Sequence, residues 1–169
     1  VNNFSHSSLE YIYLLKNIMG FAYADRSVFL GDPDYFNVPV DELVSKDYAK
    51  KIAEKIKNKE TTNLQPGTLI KESDETTHFS IIDKWGNAVS NTYTLNGAYG
   101  SGIVAKGTGI LMNNEMDDFS QKPGYPNFYG LLGSDANKIQ PKKSPLSSMS
   151  PLIVTKDNMP YLITGSPGG

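Results

Sequence analysis

The 169 residues carry a formal net charge of −2, with 16 Lys and Arg scattered among 18 Asp and Glu, so no basic stripe marks a nucleic-acid partner. The chain has no cysteine, which excludes disulfides, thiolate metal sites and a cysteine nucleophile without identifying a compartment. Nothing approaches the roughly 18 apolar residues of a membrane span, and no cationic segment followed by an apolar run opens the chain as a signal peptide would.

The first predicted element is a helix from Leu9 to about Ala24, with Leu9, Ile12, Tyr13, Leu15, Ile18, Met19, Ala22 and Tyr23 spread around much of its circumference. Such a helix calls for burial against a sheet. Gly31-Asp32-Pro33-Asp34 reads as a turn. A second helix is expected from an N-cap at Ser45 to Ile56, with Tyr48, Ile52 and Ile56 on one face and a lysine-rich, solvated face opposite. From Asn58 to Glu75 the chain is polar, holds Pro66-Gly67 and lacks periodicity, as a linker or mobile tail does.

From Thr76 the pattern turns to strands. Phe79 and Ile81 alternate with their neighbours, Asp83-Lys84-Trp85-Gly86-Asn87 is a turn with a late glycine, and Ala88–Leu95 returns. A three-residue hairpin loop closed by a left-handed glycine sets Asp83 opposite Asn87. Counting back from there places Thr76 opposite Thr94. Two hydroxyls facing each other where a strand begins, after a linker fit for cleavage, point to an N-terminal nucleophile. A threonine with a free α-amine carries its own general base, with a pKa of about 7.7–8.0. The same pair is also an ordinary cross-strand contact contributing about 0.2–1 kcal/mol.

Gly97, Gly100, Gly102, Gly107 and Gly109 lack the strand–GxGxxG–helix context of a dinucleotide site and read as turns and close backbone approaches. Pro123–Pro145 is loop-like, and strands resume at Pro151–Thr155 and Tyr161–Thr164. Glu115 and Asp118 do not fit a calcium loop of the EF-hand kind. His6 and His78 form neither a metal site nor a serine triad, and His78 reads as structural.

Five motifs taken together resemble the γ-glutamyltransferases (γ-glutamyltranspeptidases). They are Thr76-Thr77-His78-Phe79-Ser80, Gly86-Asn87-Ala88-Val89-Ser90, Asn113-Asn114-Glu115-Met116-Asp117-Asp118-Phe119, Pro145-Leu146-Ser147-Ser148-Met149-Ser150-Pro151 and Gly165-Ser166-Pro167-Gly168-Gly169. Ala24-Asp25-Arg26-Ser27 and Leu30-Gly31-Asp32-Pro33-Asp34 are similar to the same family. They stand in the family's order over most of the chain.

The resemblance implies an α+β, four-layer αββα N-terminal-nucleophile hydrolase fold, of which this chain holds part. Family precursors are cut at the position corresponding to Glu75–Thr76. Residues 1–75 would then be the C-terminal part of a large subunit, helical and then a linker, and 76–169 the nucleophile-bearing half of a small one. A fragment is expected, ending inside a substrate loop, with sheet edges and apolar helix faces left uncovered. Its other partners would be the remainder of both subunits, with no cofactor and no metal.

By the same resemblance Thr76 is the nucleophile of both self-cleavage and γ-glutamyl transfer, Thr94 positions it, and Gly168 and Gly169 offer N–H groups to the oxyanion. Glu115 and Asp118 would clamp the donor's α-ammonium, with Asn96 adding a polar contact. Ser147 and Ser148 would hold its carboxylate, and Tyr129 sits in a segment similar to the family's lid loop. The large-subunit arginine of the family has no match: the one arginine, Arg26, belongs to another motif, so the fragment alone is expected to be inactive.

The implied activity is γ-glutamyl transfer and hydrolysis on glutathione and related donors, with an amino acid, peptide or water as acceptor, in the periplasm or outside the cell. The alternatives are a self-cleaving acylase, a poly-γ-glutamate transferase, or a catalytically silent interaction fragment.

Overall fold

The computed structural model describes residues 4–62 and 76–167. The chain divides into two units, Val1–Leu69 with Phe119–Leu146 and Ile70–Asp118 with Ser147–Gly169.

In the first unit, helix α1 spans Leu9–Phe29, opened by Ser8, whose side chain accepts from Tyr11 N at 3.2 Å. It runs past the expected end at Ala24 through Asp25-Arg26-Ser27, since no glycine or proline follows Ala24 until Gly31. A short helix α2 (Val40–Leu43) precedes α3 (Lys46–Lys57), which starts at the expected cap, Ser45 Oγ accepting from Tyr48 N at 3.0 Å. Helix α3 ends with Lys59 at φ +61° and Glu60 N returning to Lys55 O at 3.0 Å, a left-handed closure of the last turn.

Polar and cation–π contacts join α1 to α3. The Tyr48 hydroxyl donates to both Asp25 oxygens at 2.9 Å, and Lys55 Nζ lies 5.8 Å from the Phe21 ring centre. Burial, and then the Asp25 bond, pushes the Tyr48 phenol up to about 12, so it remains a donor. Within its own unit α1 packs on α3 and on the 3₁₀ turn Asp135–Asn137, while Leu9, Ile12 and Met19 stay exposed. The buried apolar side chains of this unit are Ile56, Phe119 and Ala136.

The second unit is built on two hairpins. Strands β1 (Thr77–Ile82) and β2 (Ala88–Tyr93) pair antiparallel from Thr77↔Tyr93 to Ile82↔Ala88, the register deduced from the turn. Asp83 N donates to Asn87 O at 3.0 Å and Gly86 lies at φ +88°. The Asp83 carboxylate accepts from Trp85 N, Asn87 N and Asn87 Nδ2 at 2.8, 2.9 and 2.7 Å. These bonds hold its pKa below the ordinary value.

Strands β3 (Leu152–Lys156) and β4 (Met159–Thr164) meet at a tight turn whose two residues, Asp157 and Asn158, both have positive φ. β3 thus runs one residue later than expected, and β4 begins two residues earlier, at Met159. A register shift between Val154 and Thr155 leaves Tyr161 as the extra residue of a bulge. The hairpins touch where Ser90 Oγ donates to Thr164 O at 2.8 Å.

Candidate functional site

Thr76, half-buried, immediately precedes β1, one register step outside the Thr77↔Tyr93 pair. Continuing that register brings it opposite Thr94, which follows β2. Asn96 N donates to Thr94 Oγ1 at 2.9 Å. A threonine hydroxyl has one proton and two lone pairs, so accepting from Asn96 leaves Thr94 a proton to donate.

After Thr94 the chain turns sharply. Asn96 adopts φ +73° and is buried, a conformation that asparagine tolerates better than most residues. Its Nδ2 donates to Asn114 O at 3.3 Å; Gly97 N donates to Asn114 Oδ1 at 2.9 Å; Asn114 N donates to Leu95 O at 3.1 Å. Asn114 O also accepts from Asp117 N at 3.2 Å, beginning the 3₁₀ turn Glu115–Asp118. Thr94, Asn96, Glu115 and Asp118 are thereby fastened into one cluster, with Asn114 as the fastening.

Sequence reasoning gave Asn114 no role, although it lies within a quoted motif. Its signal was present: an Asn before an acidic turn can bind backbone with both its amide and its main chain. The glycine segment between the two halves of this cluster doubles back as expected. Val104 bridges Leu111, Met112 N donates to Ile103 O at 2.8 Å, and a Cβ on Gly100, at φ +50°, would strike Met112 O.

Glu115 and Asp118 lie within hydrogen-bond reach of each other. Burial, then the Asp118 hydrogen bond and charge, pushes Glu115 up to about 7. A pair of carboxylates sharing a proton in this way accepts a cation by releasing that proton. The arrangement suits a primary ammonium group.

The other expected site residues are placed as follows. Ser147 and Ser148 lie on the segment leading to β3, and Ser147 Oγ accepts from Met149 N at 3.1 Å. Tyr129 belongs to the first unit, where its N donates to Asn127 Oδ1 at 3.1 Å and its ring meets Phe128 edge-on at 5.2 Å. Glu75, Gly168 and Gly169 lie outside the described residues. His78 is held by hydroxyls on both sides, Thr92 at 2.7 Å and Ser80 at 3.0 Å, and a Cβ on Gly165 would land on its ring. These contacts fix the ring in place. Among the described residues no group of three or more His, Cys, Asp or Glu could hold a metal ion.

Comparison with known proteins shows the family. The sequence pattern of the γ-glutamyltranspeptidase family matches residues 1–169. The chain is 53% identical over 173 residues to the glutathione hydrolase proenzyme of Escherichia coli K12, covering 100% of this chain and 30% of that protein. It is 52% identical over 166 residues to the glutathione hydrolase proenzyme of Pseudomonas aeruginosa, covering 96% of this chain and 29% of that one. A solved γ-glutamyltranspeptidase from Pseudomonas nitroreducens, complexed with L-DON, superposes at a TM-score of 0.50 with 66% identity, over 52% of this chain and 45% of that one. The chain belongs to the γ-glutamyltranspeptidase family, and it spans about 30% of the length of the curated relatives it matches.

Proposed function

We propose that this chain is the catalytic middle of a self-processing γ-glutamyltransferase, with Thr76 as its nucleophile. The observation that supports the reading is the hairpin register, which, continued one step beyond Thr77↔Tyr93, brings Thr76 opposite Thr94. Family membership supplies the reaction class.

In the precursor, Thr76 Oγ attacks the carbonyl carbon of Glu75. The peptide C–N bond breaks, the nitrogen takes up a proton as the Thr76 amine, and the acyl group passes to oxygen as an ester. Water hydrolyses the ester, releasing the Glu75 carboxylate and a free N-terminal Thr76. In the mature protein that amine accepts the Oγ proton while Oγ attacks the γ-carbonyl of the donor. Thr94 steadies the hydroxyl, and the N–H groups of Gly168 and Gly169 receive the oxyanion. The leaving amine departs with a proton, leaving a γ-glutamyl ester on Thr76. Water or an acceptor amine then resolves it to glutamate or a new γ-glutamyl amide.

Glu115, Asp118 and Asn96 hold the donor's α-ammonium, and Ser147 and Ser148 its α-carboxylate, with Tyr129 on the lid. This polar set favours a free amino-acid head, as in glutathione, over the apolar acyl group of an acylase substrate, which would leave buried polar groups unpaired. The remainder of the protein supplies the arginine for the carboxylate and completes the four-layer αββα fold. It also covers apolar surface such as Phe79, Ile81 and Leu152, exposed here. Among the described residues no helix is long and apolar enough to cross a membrane, and we place the protein in the periplasm or outside the cell on family grounds.

The test is the mass and N-terminal sequence of the full precursor after purification. A new terminus Thr76-Thr77-His78, abolished by Thr76→Ala and accompanied by release of amine from a γ-glutamyl anilide, is expected. Cleavage at another bond, or donor turnover by the Thr76→Ala protein, overturns the proposal.

A further inference from the structure

The first unit joins chain from both sides of the proposed cut: Gly31–Tyr35 lies before it and Ser134–Ser144 after it. Gly31 sits so close to Ala136 that an added Cβ would run into that residue's carbonyl oxygen and carbon. The same carbonyl accepts from Lys143 Nζ at 2.7 Å, and Lys143 is buried. Three hydrogen bonds surround this approach. Ser144 N donates to Asp32 Oδ2 at 2.8 Å, Tyr35 OH to Pro141 O at 3.2 Å, and Ser134 Oγ to Val28 O at 2.8 Å. Asp32 also accepts from Asp34 N at 3.0 Å, which holds the turn in shape, and its negative charge attracts the Lys143 ammonium.

This is a socket made by one stretch of chain for a turn in another. We infer that the Gly31–Tyr35 turn, seated in the Ser134–Ser144 segment, is a clasp that keeps the two cleavage products associated. The inference rests on the proposed cut at Glu75–Thr76. Before the cut the tether holds both halves at high effective concentration, so the clasp is redundant; afterwards that advantage is lost and non-covalent contacts must carry the association. Asp32 binds a main-chain N–H, Gly31 admits a main-chain carbonyl, and Tyr35 binds another, so the fit depends chiefly on backbone shape. Its partner is accordingly the folded 134–144 segment rather than any apolar surface.

The experiment uses the full precursor with Gly31→Val, Asp32→Asn and Tyr35→Phe, each also made in the uncleavable Thr76→Ala background. Cleaved proteins are run on gel filtration across a urea series. The variants are expected to be cut to wild-type masses, yet to lose co-elution of the two subunits at urea concentrations where the wild type still co-elutes. The uncleavable counterparts, still tethered, should lose less against their parent than the cut forms do. Equal shifts in cut and uncut forms, or unchanged co-elution, overturn the clasp. If Gly31→Val is not recovered folded, the two side-chain variants decide by the same criteria. A wild-type precursor that is never cut overturns the cleavage reading instead, and the clasp with it.

Discussion

The main-chain N–H of Asn96 donates to Thr94 Oγ1 at 2.9 Å, which leaves that hydroxyl its own proton to donate, in the proposed mechanism toward Thr76. Thr94→Ala removes the donor and keeps the strand. Self-cleavage and donor turnover should both slow by a factor of about five or more, the worth of a hydrogen bond of about 1 kcal/mol. Thr94→Ser should recover most of each rate. Equal rates in the alanine and serine variants, measured by gel densitometry and initial velocities, would remove Thr94 from the mechanism.

With Glu115 and Asp118 as the proposed ammonium site, the proton they share would give donor binding a pH dependence of definite sign. Glu115 is raised to about 7, chiefly by burial, so below that pH the unliganded carboxyl is largely protonated. A bound α-ammonium favours the ionised form, and binding must expel the proton. KM for the donor should therefore rise as pH falls through about 7 and level off above it, whereas titration of the Thr76 amine would act on kcat. For the free protein the sign is opposite: this group's contribution to stability is full at low pH and lost as pH rises through about 7. Glu115→Gln should flatten the KM profile. A profile unchanged by that substitution would show that another group carries the dependence.

The hairpin turn sets, from a distance, the register that brings Thr76, the proposed nucleophile, opposite Thr94. Gly86 sits at φ +88°, so Gly86→Ala should cost about 1–2 kcal/mol through a left-handed backbone that L-residues resist. Asp83→Ala leaves Trp85 N, Asn87 N and Asn87 Nδ2 without their acceptor. A one-residue slip would turn every side chain of β1 to the other face and carry Thr76 away from Thr94. Slower self-cleavage is expected in both variants, with faster amide exchange along Thr77–Ile82. The Asp83 pKa is held low, so its support of the turn should persist above the ordinary carboxylate range and fail only as pH falls below it. Exchange rates matching the wild type would disconnect the turn from the register.

Local signals account for what the sequence made legible. The register of β1 and β2 follows from one turn, whose glycine and flanking Asp and Asn declare its geometry. The caps Ser8 and Ser45 are local in the same sense, although only Ser45 was read as one. Seating of the Gly31 turn on Ala136 was not legible, because it joins residues far apart with no shared periodicity. The cover for α1 was not legible for a related reason. Apolar residues around a helix state that something must bury it, and a helix, a turn or another part of the protein satisfies them as well as a sheet. Asn114 escaped notice because its work is done on backbone atoms, which leave no trace in a pattern of charge or hydropathy.

Gly165 and His78 supply a test of how the motif after β4 is held against β1. A Cβ at residue 165 would fall on the His78 ring, whose two nitrogens are bound to Thr92 and Ser80. Positive φ is not the issue at Gly165, so Gly165→Ala acts by sterics alone: the ring must move and surrender those hydroxyls, or the chain end must withdraw. Overpacking of this kind costs about 1–3 kcal/mol, and a lower Tm and slower self-cleavage are expected. His78→Ala makes room for the added methyl at the expense of its own two hydrogen bonds. If the contact is what matters, the double variant should be more stable than the two single losses predict, by about 0.5–3 kcal/mol of coupling. Strictly additive losses in urea titrations would show that Gly165 is required for some reason other than the histidine beside it.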